Sequence, residues 1–324
     1  MPRPDRVFFD GAVYHVYNRL ARGERVFEDG DSAEHFVELL REVTARDQVT
    51  VFAWCVMSNH YHLAVQTGPV TLDRPMRSAQ QRFTRRYNAR QQVFGPLWQG
   101  RYRAKPVTDP RYLQQLLVYI HLNPVVAGIV DDPAEYRWSG HTEIVQRARP
   151  PLIDVDEVLR VFGGTRRTAR ARYVRTLRGA VDEPWIGEEP GRLPWWKLGR
   201  PPKGDDEDPA GSGRKRRADA AERQVLERPK LTEEEFLRHG AAHLEIDLGQ
   251  LSGRGRLPEV VRAWELLTSL GVERYRLRVK RIAELLNKHP VTATTWVMRG
   301  VRKRREDKGF SEQYETLDRQ LIDG

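Results

Sequence analysis

Alternating side chains predict four strands in the first third of the chain. Residues 12–19 (AVYHVYNR) alternate β-branched and aromatic side chains with others, which is the period of a strand. The runs VTVFAWCVM and HYHLAVQ flank Ser58 and Asn59, a pair that suits a tight turn. These runs predict a hairpin whose second strand covers residues 60–66. The later segment GRYRAKPV predicts the fourth strand.

Segments with apolar residues at helical spacing lie between these strands. Asp31 with Glu34 three residues later predicts a capping box, and the apolar residues that follow predict a helix over residues 32–46. A second helix is predicted to begin near Pro75 and to end at Gly95. The order of strands and helices predicts an α+β fold, a largely antiparallel sheet with helices packed on it.

A third helix follows the last strand. Asp109 is an N-cap residue followed by Pro110 at the first helical position, and Pro124 is expected to end the helix. These signals predict a helix over residues 110–123.

The chain changes character after about residue 150. A segment rich in Pro, Gly, Ser and blocks of like charge predicts a mobile linker, and the sequence beyond it has helical periodicity almost throughout. The predicted organisation is a mixed domain over 1–150, a helical extension and connector over 151–191, a flexible charged linker over 192–230, and an all-α domain over 231–324.

Composition narrows the classes of partner. The 324 residues include 55 Lys and Arg against 45 Asp and Glu, a net charge of +10 that favours polyanionic partners. The only cysteine, Cys55, cannot form an internal disulfide. No apolar run approaches the ~20 residues of a membrane-spanning helix, and no signal peptide is evident. We therefore expect a cytoplasmic protein that associates with the nucleoid and not with a membrane.

Two histidines fall on one face of a predicted strand. His60 and His62 are separated by one residue, so both imidazoles project from the same side. Two neutral imidazoles side by side form half of a metal site. The alternative is that one ring packs in the core while the other is solvated, which is the commoner arrangement for an isolated pair of this spacing.

The third predicted helix carries a phenol and an amide on one face. Tyr119 and Asn123 are four residues apart and lie at the edge of the apolar stripe, where they could face the histidines. An amide oxygen is an acceptable ligand for a hard divalent ion. The alternative is a tyrosine at the helix boundary and an asparagine near the helix C-terminus.

Over residues 8–141, approximately, the sequence resembles the REP-associated tyrosine transposases, a branch of the single-tyrosine HUH transposases that are IS200-like. The resemblance rests on FAWCVMSNHYHLAV, LWQGRYRAKPV and YIHLNPVVAGIVDDPAEYRWSG. It implies a ferredoxin- or RRM-like HUH fold, Mg²⁺ or Mn²⁺ bound by His60, His62 and Asn123, and Tyr119 as nucleophile. Val126 departs from the arginine of many relatives, and Tyr61 replaces the usual aliphatic residue but is expected to point away from the metal.

The activity implied by the resemblance is cleavage and transfer of single-stranded, hairpin-bearing repeat DNA through a 5′-phosphotyrosine. A non-catalytic DNA-binding regulator that keeps the fold and an RNA-binding protein are the alternatives. A monomer and a homodimer are both compatible with the sequence.

A long acid-free segment favours nucleic-acid binding. Residues 74–108 contain nine Arg or Lys and no Asp or Glu, with aromatic residues interleaved. The alternative is that the rings belong to the core and the arginines form a solvated helix face. The candidate DNA contacts are Arg82, Arg85, Arg86, Arg101, Arg103 and Lys105.

A second basic segment lies near the C-terminus. Residues 254–308 contain 15 Arg or Lys and 6 Asp or Glu. Residues 276–306 predict a helix-turn-helix that binds duplex DNA, with Thr292 capping the second helix. The alternative is a basic helical bundle without specific contacts. The candidate contacts are Thr294, Thr295, Arg299, Arg302 and Lys303.

Overall fold

A computed structural model describes residues 9–146, 151–182, 228–253 and 257–323. The chain divides into two compact units. The first, residues 13–190, is called the sheet unit below. The second combines residues 1–12 with 191–324 and is called the helical unit. Residues 192–227 of the predicted linker lie outside the described residues.

The described residues of the sheet unit form a four-stranded antiparallel sheet. Its strands are paired in the order β2-β3-β1-β4, and the chain runs through it as strand, helix, strand, strand, helix, strand. This succession is that of a ferredoxin-like fold and confirms the predicted α+β class. The strands are β1 (Val13–Arg19), β2 (Thr50–Val56), β3 (His60–Gln66) and β4 (Arg103–Pro106).

Among the described residues of this unit, six α-helices accompany the sheet: α1 (Gly30–Arg46), α2 (Asp73–Gln91), α3 (Pro110–Val126), α4 (His141–Val145), α5 (Val155–Phe162) and α6 (Arg166–Asp182). The N-cap of α1 is Asp29, which accepts a hydrogen bond from the Asp31 backbone N–H, so the predicted capping box at Asp31 was wrong. Helix α2 ends before Gln92, whose φ of 53° stops it short of Gly95.

Pro124 does not end α3 as predicted. The helix begins as expected, with Asp109 accepting from the Arg111 N–H and Pro110 in the first turn, but it continues to Val126. Proline cannot donate to the carbonyl four residues earlier, which belongs to Ile120. The Asn123 side-chain amide lies 3.4 Å from that oxygen and compensates in part for the missing donor.

The helical unit consists of helices alone among its described elements, which confirms the predicted all-α class. It packs around buried aromatic rings, including a stacked pair of Trp264 and Trp296 with centroids 4.4 Å apart. The helices are α7 (Glu233–His243), α8 (Leu248–Ser252), α9 (Pro258–Arg274), α10 (Val279–Leu285), α11 (Pro290–Glu306) and α12 (Lys308–Asp323).

A short turn joins α10 to α11, as the sequence predicts for residues 276–306. The side chain that caps α11 is His289, which accepts from the Val291 N–H at 3.2 Å. Thr292 lies inside the helix, so its predicted capping role was wrong. Within the described ranges, no helix is both long and apolar enough to cross a membrane.

Candidate active site and nucleic-acid interface

Alternation along β3 places His60 and His62 on one face of the sheet and Tyr61 on the other. The two imidazole centroids are 5.2 Å apart, with the rings nearly perpendicular. Tyr61 is fully buried on the opposite side, where its hydroxyl accepts a hydrogen bond from Gln80 of α2 at 2.9 Å. Tyr61 therefore points away from the histidine pair, as expected.

Both histidines use Nδ1 for a hydrogen bond. His60 Nδ1 lies 2.7 Å from Asn59 Oδ1, which can only accept, so the His60 proton resides on Nδ1. His62 Nδ1 lies 3.0 Å from Nε2 of His15 on β1. The Nε2 atom of His60 is buried and has no hydrogen-bond partner. Such an atom, carrying a lone pair, suits a metal ligand.

Burial keeps these rings neutral. Desolvation lowers the pKa of His60 to about 4, with a smaller effect of the nearby Arg19 charge. Desolvation likewise lowers the pKa of His62 well below its usual value and that of His15 to about 3. Neutral imidazoles at physiological pH are what metal coordination requires.

Helix α3 brings Tyr119 to the histidines. The Tyr119 ring meets His62 edge-on with centroids 5.7 Å apart, and it lies 6.2 Å from the His15 ring. Burial raises the pKa of the Tyr119 phenol well above its usual value, and hydrogen bonding to the Asn123 side chain opposes this shift. The phenol is therefore protonated at neutral pH, so it needs activation to act as a nucleophile.

Asn123 lies one turn after Tyr119 and is buried. Its Nδ2 donates to the Tyr119 backbone carbonyl at 2.8 Å. The amide nitrogen is thus bound to the helix, and Oδ1 is the atom that can bind a cation. The described residues include no group of three His, Cys, Asp or Glu side chains arranged for a metal. The Asn123 amide oxygen therefore stays a predicted third ligand beside the two imidazoles.

Sequence reasoning missed His15. It occupies the same face of the sheet as Tyr17 and Arg19, which pair across from His62 and His60. The alternation in AVYHVYNR was visible, but nothing local indicated that β1 would lie beside β3. His15 supports His62 and is 8% exposed, so it is part of the site's buried wall.

The predicted DNA contacts of the sheet unit fall on two surfaces. Arg103 and Lys105 of β4 pair across from Tyr17 and His15, so they share the histidine face and are exposed. Arg101 is exposed in the segment before β4. Three others lie on α2, which packs on the opposite face: Arg82, Arg85 and Arg86.

The α2 arginines are partly engaged within the protein. Arg82 donates twice to the Glu42 carboxylate of α1, at 2.6 and 2.8 Å. Arg86 lies 3.1 Å from the His35 ring, and Arg85 is exposed. The sequence grouped these cations with those of β4, but the fold separates them.

The predicted DNA contacts in α11 also fall into two groups, buried or paired residues and exposed residues. Thr294 is fully buried and its hydroxyl donates to the Pro290 carbonyl at 3.0 Å, so its prediction as a DNA contact was wrong. Lys303 forms an ion pair at 2.7 Å with Glu265, which is 2% exposed. The half-buried Thr295 donates to the Val291 carbonyl. Arg299 and Arg302 are exposed and remain candidates.

The first part of the chain matches a known protein family. Residues 9–123 match the IS200-like transposases. The matched residues include both histidines, the tyrosine and the asparagine of the site, and they end at Asn123. This match confirms the resemblance seen in the sequence and supports a transposase role. No curated protein matches the chain at a significant level.

Two solved structures are similar in part. One is the structure of the REP-associated tyrosine transposase bound to a REP hairpin, which is 19% identical in sequence. The match covers 48% of this chain and 93% of that chain, with a TM-score of 0.40. The other is a putative transposase from Deinococcus radiodurans R1, with 18% identity, 35% and 92% covered, and a TM-score of 0.27.

Proposed function

We propose that the chain is a metal-dependent transposase that cuts and rejoins single-stranded, hairpin-bearing repeat DNA by way of one tyrosine. The observation that carries the proposal is the packing of Tyr119 against His62, with centroids 5.7 Å apart, on the face that also holds His60. A phenol beside two neutral imidazoles suits phosphoryl transfer better than simple binding. The match of residues 9–123 to IS200-like transposases supports the same role.

The residues fit a divalent cation. His60 offers a buried Nε2 without a hydrogen-bond partner, and His62 is held through Nδ1 by His15. His60, His62 and Asn123 would hold Mg²⁺ or Mn²⁺. When bound, such an ion polarises a phosphate and stabilises the charge that develops on its oxygens.

Tyr119 supplies the nucleophilic oxygen. Its attack forms a bond from the phenolic oxygen to phosphorus and breaks the bond from phosphorus to the 3′ oxygen. The phenolic proton is lost, and the departing oxygen gains one to become a 3′-hydroxyl. The products are a 5′-phosphotyrosine and a free 3′ end, and reversal by another 3′-hydroxyl rejoins strands without water or ATP.

Each unit carries exposed cations that are suited to bind DNA. Arg103 and Lys105 lie exposed on the histidine face, where they can contact phosphates on either side of the cut. In the helical unit, α10 and α11 form the proposed helix-turn-helix, with Arg299 and Arg302 directed to duplex DNA. The domain organisation proposed is a catalytic sheet unit, a linker and a separate DNA-binding unit.

The test is formation of a covalent adduct. Wild type, Tyr119→Phe and the matched control Tyr112→Phe are incubated with a labelled DNA hairpin from repeats flanking the protein's own gene, with Mn²⁺ or with EDTA. We expect a denaturant-resistant protein–DNA adduct from wild type and Tyr112→Phe with Mn²⁺ only. Tight binding without any adduct would instead indicate a DNA-binding regulator. Tighter binding of the matching RNA hairpin would indicate an RNA-binding protein.

A further inference from the structure

Helix α6 carries a dense set of arginines and lies beyond residues 9–123, which match the family of IS200-like transposases. Its 17 residues, RRTARARYVRTLRGAVD, include six arginines, and its single acidic residue comes last. The match to the transposase family ends at residue 123, so it does not account for this helix.

The opposite side of α6 is anchored in the sheet unit. Ala169, Tyr173 and Leu177, spaced by four residues, are buried. The Tyr173 hydroxyl lies 2.8 Å from Nδ1 of His121 on α3 and 2.6 Å from Nδ1 of His141 on α4. The arginine side is therefore fixed in place by a well-packed helix, and it is attached to the helix that carries Tyr119.

Two of the six arginines have structural partners. Arg166 forms an ion pair with Asp156 at 2.8 Å. Arg172 donates to the carbonyls of Phe162 and Gly163 at 3.1 and 3.2 Å, at the end of α5. These two arginines hold α6 against α5.

The other four arginines form what we call the α6 arginine row: Arg167, Arg170, Arg175 and Arg178. No carboxylate among the described residues pairs with any of them. At 100° per residue they span about 140° of the helix surface. They line a concave surface of about 870 Å³ together with small side chains that include Ala171 and Val174.

Arg170 is the residue of the row whose donors most need an acceptor. Its Nε and Nη2 atoms are buried and have no hydrogen-bond partner. A guanidinium cannot lose its charge near neutral pH, so burial of these donors without an acceptor is unfavourable. An anion that reaches this edge of the row would satisfy them.

The row fits the backbone of a nucleic acid. The guanidinium group binds phosphate oxygens in a bidentate manner. The described residues that line this surface include no aromatic side chain on which a base could stack, so the surface suits phosphates rather than bases. From Arg167 to Arg178 the helix rises about 17 Å, which corresponds to roughly five base steps.

We propose that the α6 arginine row binds the phosphate backbone of the DNA substrate. It would add affinity that depends on salt and not on base sequence. This inference rests on the proposed function, because that function identifies the polyanion as DNA. In this proposal, α6 helps to hold the strand that Tyr119 cuts. The Tyr173–His121 contact joins α6 to α3, the helix that carries Tyr119.

The test compares full-length variants by fluorescence anisotropy with the labelled DNA hairpin over a range of NaCl concentrations. The row variant is Arg167→Gln/Arg175→Gln/Arg178→Gln, which leaves the half-buried Arg170 in place. A matched control removes three arginines that pair with carboxylates elsewhere in the sheet unit: Arg46→Gln/Arg137→Gln/Arg160→Gln. Circular dichroism and melting temperature establish that each variant is folded.

We expect the row variant to bind at least tenfold more weakly at 50 mM salt. The slope of log K against log salt should fall by about 2–3, because three phosphate contacts are lost and each contributes roughly 0.7–0.9. The Arg→Lys triple at the same positions should restore the salt slope, because the charge is kept, but only part of the affinity, because an ammonium group cannot bind a phosphate in a bidentate manner. A row variant that matches the control in affinity and slope would overturn the proposal, as would a tenfold preference for the matching RNA hairpin that is lost with the row.

The adduct assay runs in parallel and separates the two proposals. If wild type forms no adduct but the row variant loses affinity, the proposed chemistry fails while the binding surface stands. If wild type forms the adduct and the row variant binds normally, the binding surface alone is refuted.

Discussion

Nε2 of His15 lies 3.0 Å from Nδ1 of His62, and the two rings are buried on the same face of the sheet. The two residues are 47 positions apart in sequence and meet because β1 pairs with β3. This contact orients the His62 ring through Nδ1, so Nε2 is the nitrogen that we propose as the metal ligand. His15 is therefore a positioning residue for a proposed metal ligand.

Replacement of His15 should lower the affinity of the site for the metal while the nucleophile, Tyr119, is kept. In His15→Ala, we expect the Mn²⁺ concentration for half-maximal adduct formation to rise about 10–100-fold, since outer hydrogen-bond partners tune ligand affinity by that factor. Saturating Mn²⁺ should restore the adduct. Tyr14→Phe, altered on the opposite face of β1, serves as the control. An unchanged Mn²⁺ requirement would exclude the positioning role.

The Tyr173 hydroxyl should stabilise the sheet unit. It joins His121 and His141, and Tyr173→Phe would leave two buried imidazole nitrogens without that partner. Unsatisfied buried groups cost ~1–3 kcal/mol each, so we expect a loss of about 2 kcal/mol or more in the free energy of unfolding. Urea titration measures it. Tyr87→Phe, at a half-buried site, should change stability by less than about 0.5 kcal/mol.

The sheet unit should lose stability at mildly acidic pH. Burial lowers the pKa of His15 to about 3 and of His60 and His141 to about 4, and it places those of His62 and His121 well below the usual value. Below pH ~6.5 the unfolded chain gains protons that the folded chain does not, so stability falls as pH falls. Each histidine contributes at most ~1.4 kcal/mol per pH unit.

Hydrogen exchange locates this acid effect. Peptides from β3 should lose protection between pH 7 and pH 5.5, after correction for intrinsic exchange rates, while protection should be level between pH 8 and pH 7. Constant protection down to pH 5 would show that these histidines do not govern stability.

Lys303 and Arg299 should behave differently although both lie on α11. Lys303 pairs with the buried Glu265, so Lys303→Ala would leave that carboxylate without its cation and lower stability by ~1–3 kcal/mol. Arg299 is exposed, and Arg299→Ala should weaken duplex binding while the melting temperature stays within about 1 °C of wild type. Equal melting temperatures for the two variants would refute the structural role of Lys303.

Local periodicity was sufficient to predict which side chains of the candidate site share a face of their strand or helix. Alternation placed His60 and His62 on one side of a strand whose bounds, residues 60–66, match the structure. Helical spacing brought Tyr119 and Asn123 to one side of α3. These predictions succeed because strand and helix periods depend on neighbouring residues alone. Errors appeared at the helix ends, such as Pro124, where a side chain of the helix itself replaced part of a missing hydrogen bond.

The tertiary structure decided which faces meet. His15 reached His62 through a pairing of strands, and Tyr173 reached His121 across 52 positions, neither of which has a local signal. Packing also buried Thr294 and tied Lys303 to Glu265, although both looked like surface residues of a basic helix. The sequence by itself determined the elements and the side of each that carries polar groups. Their partners depend on contacts between residues far apart in the chain, which form only when the elements pack.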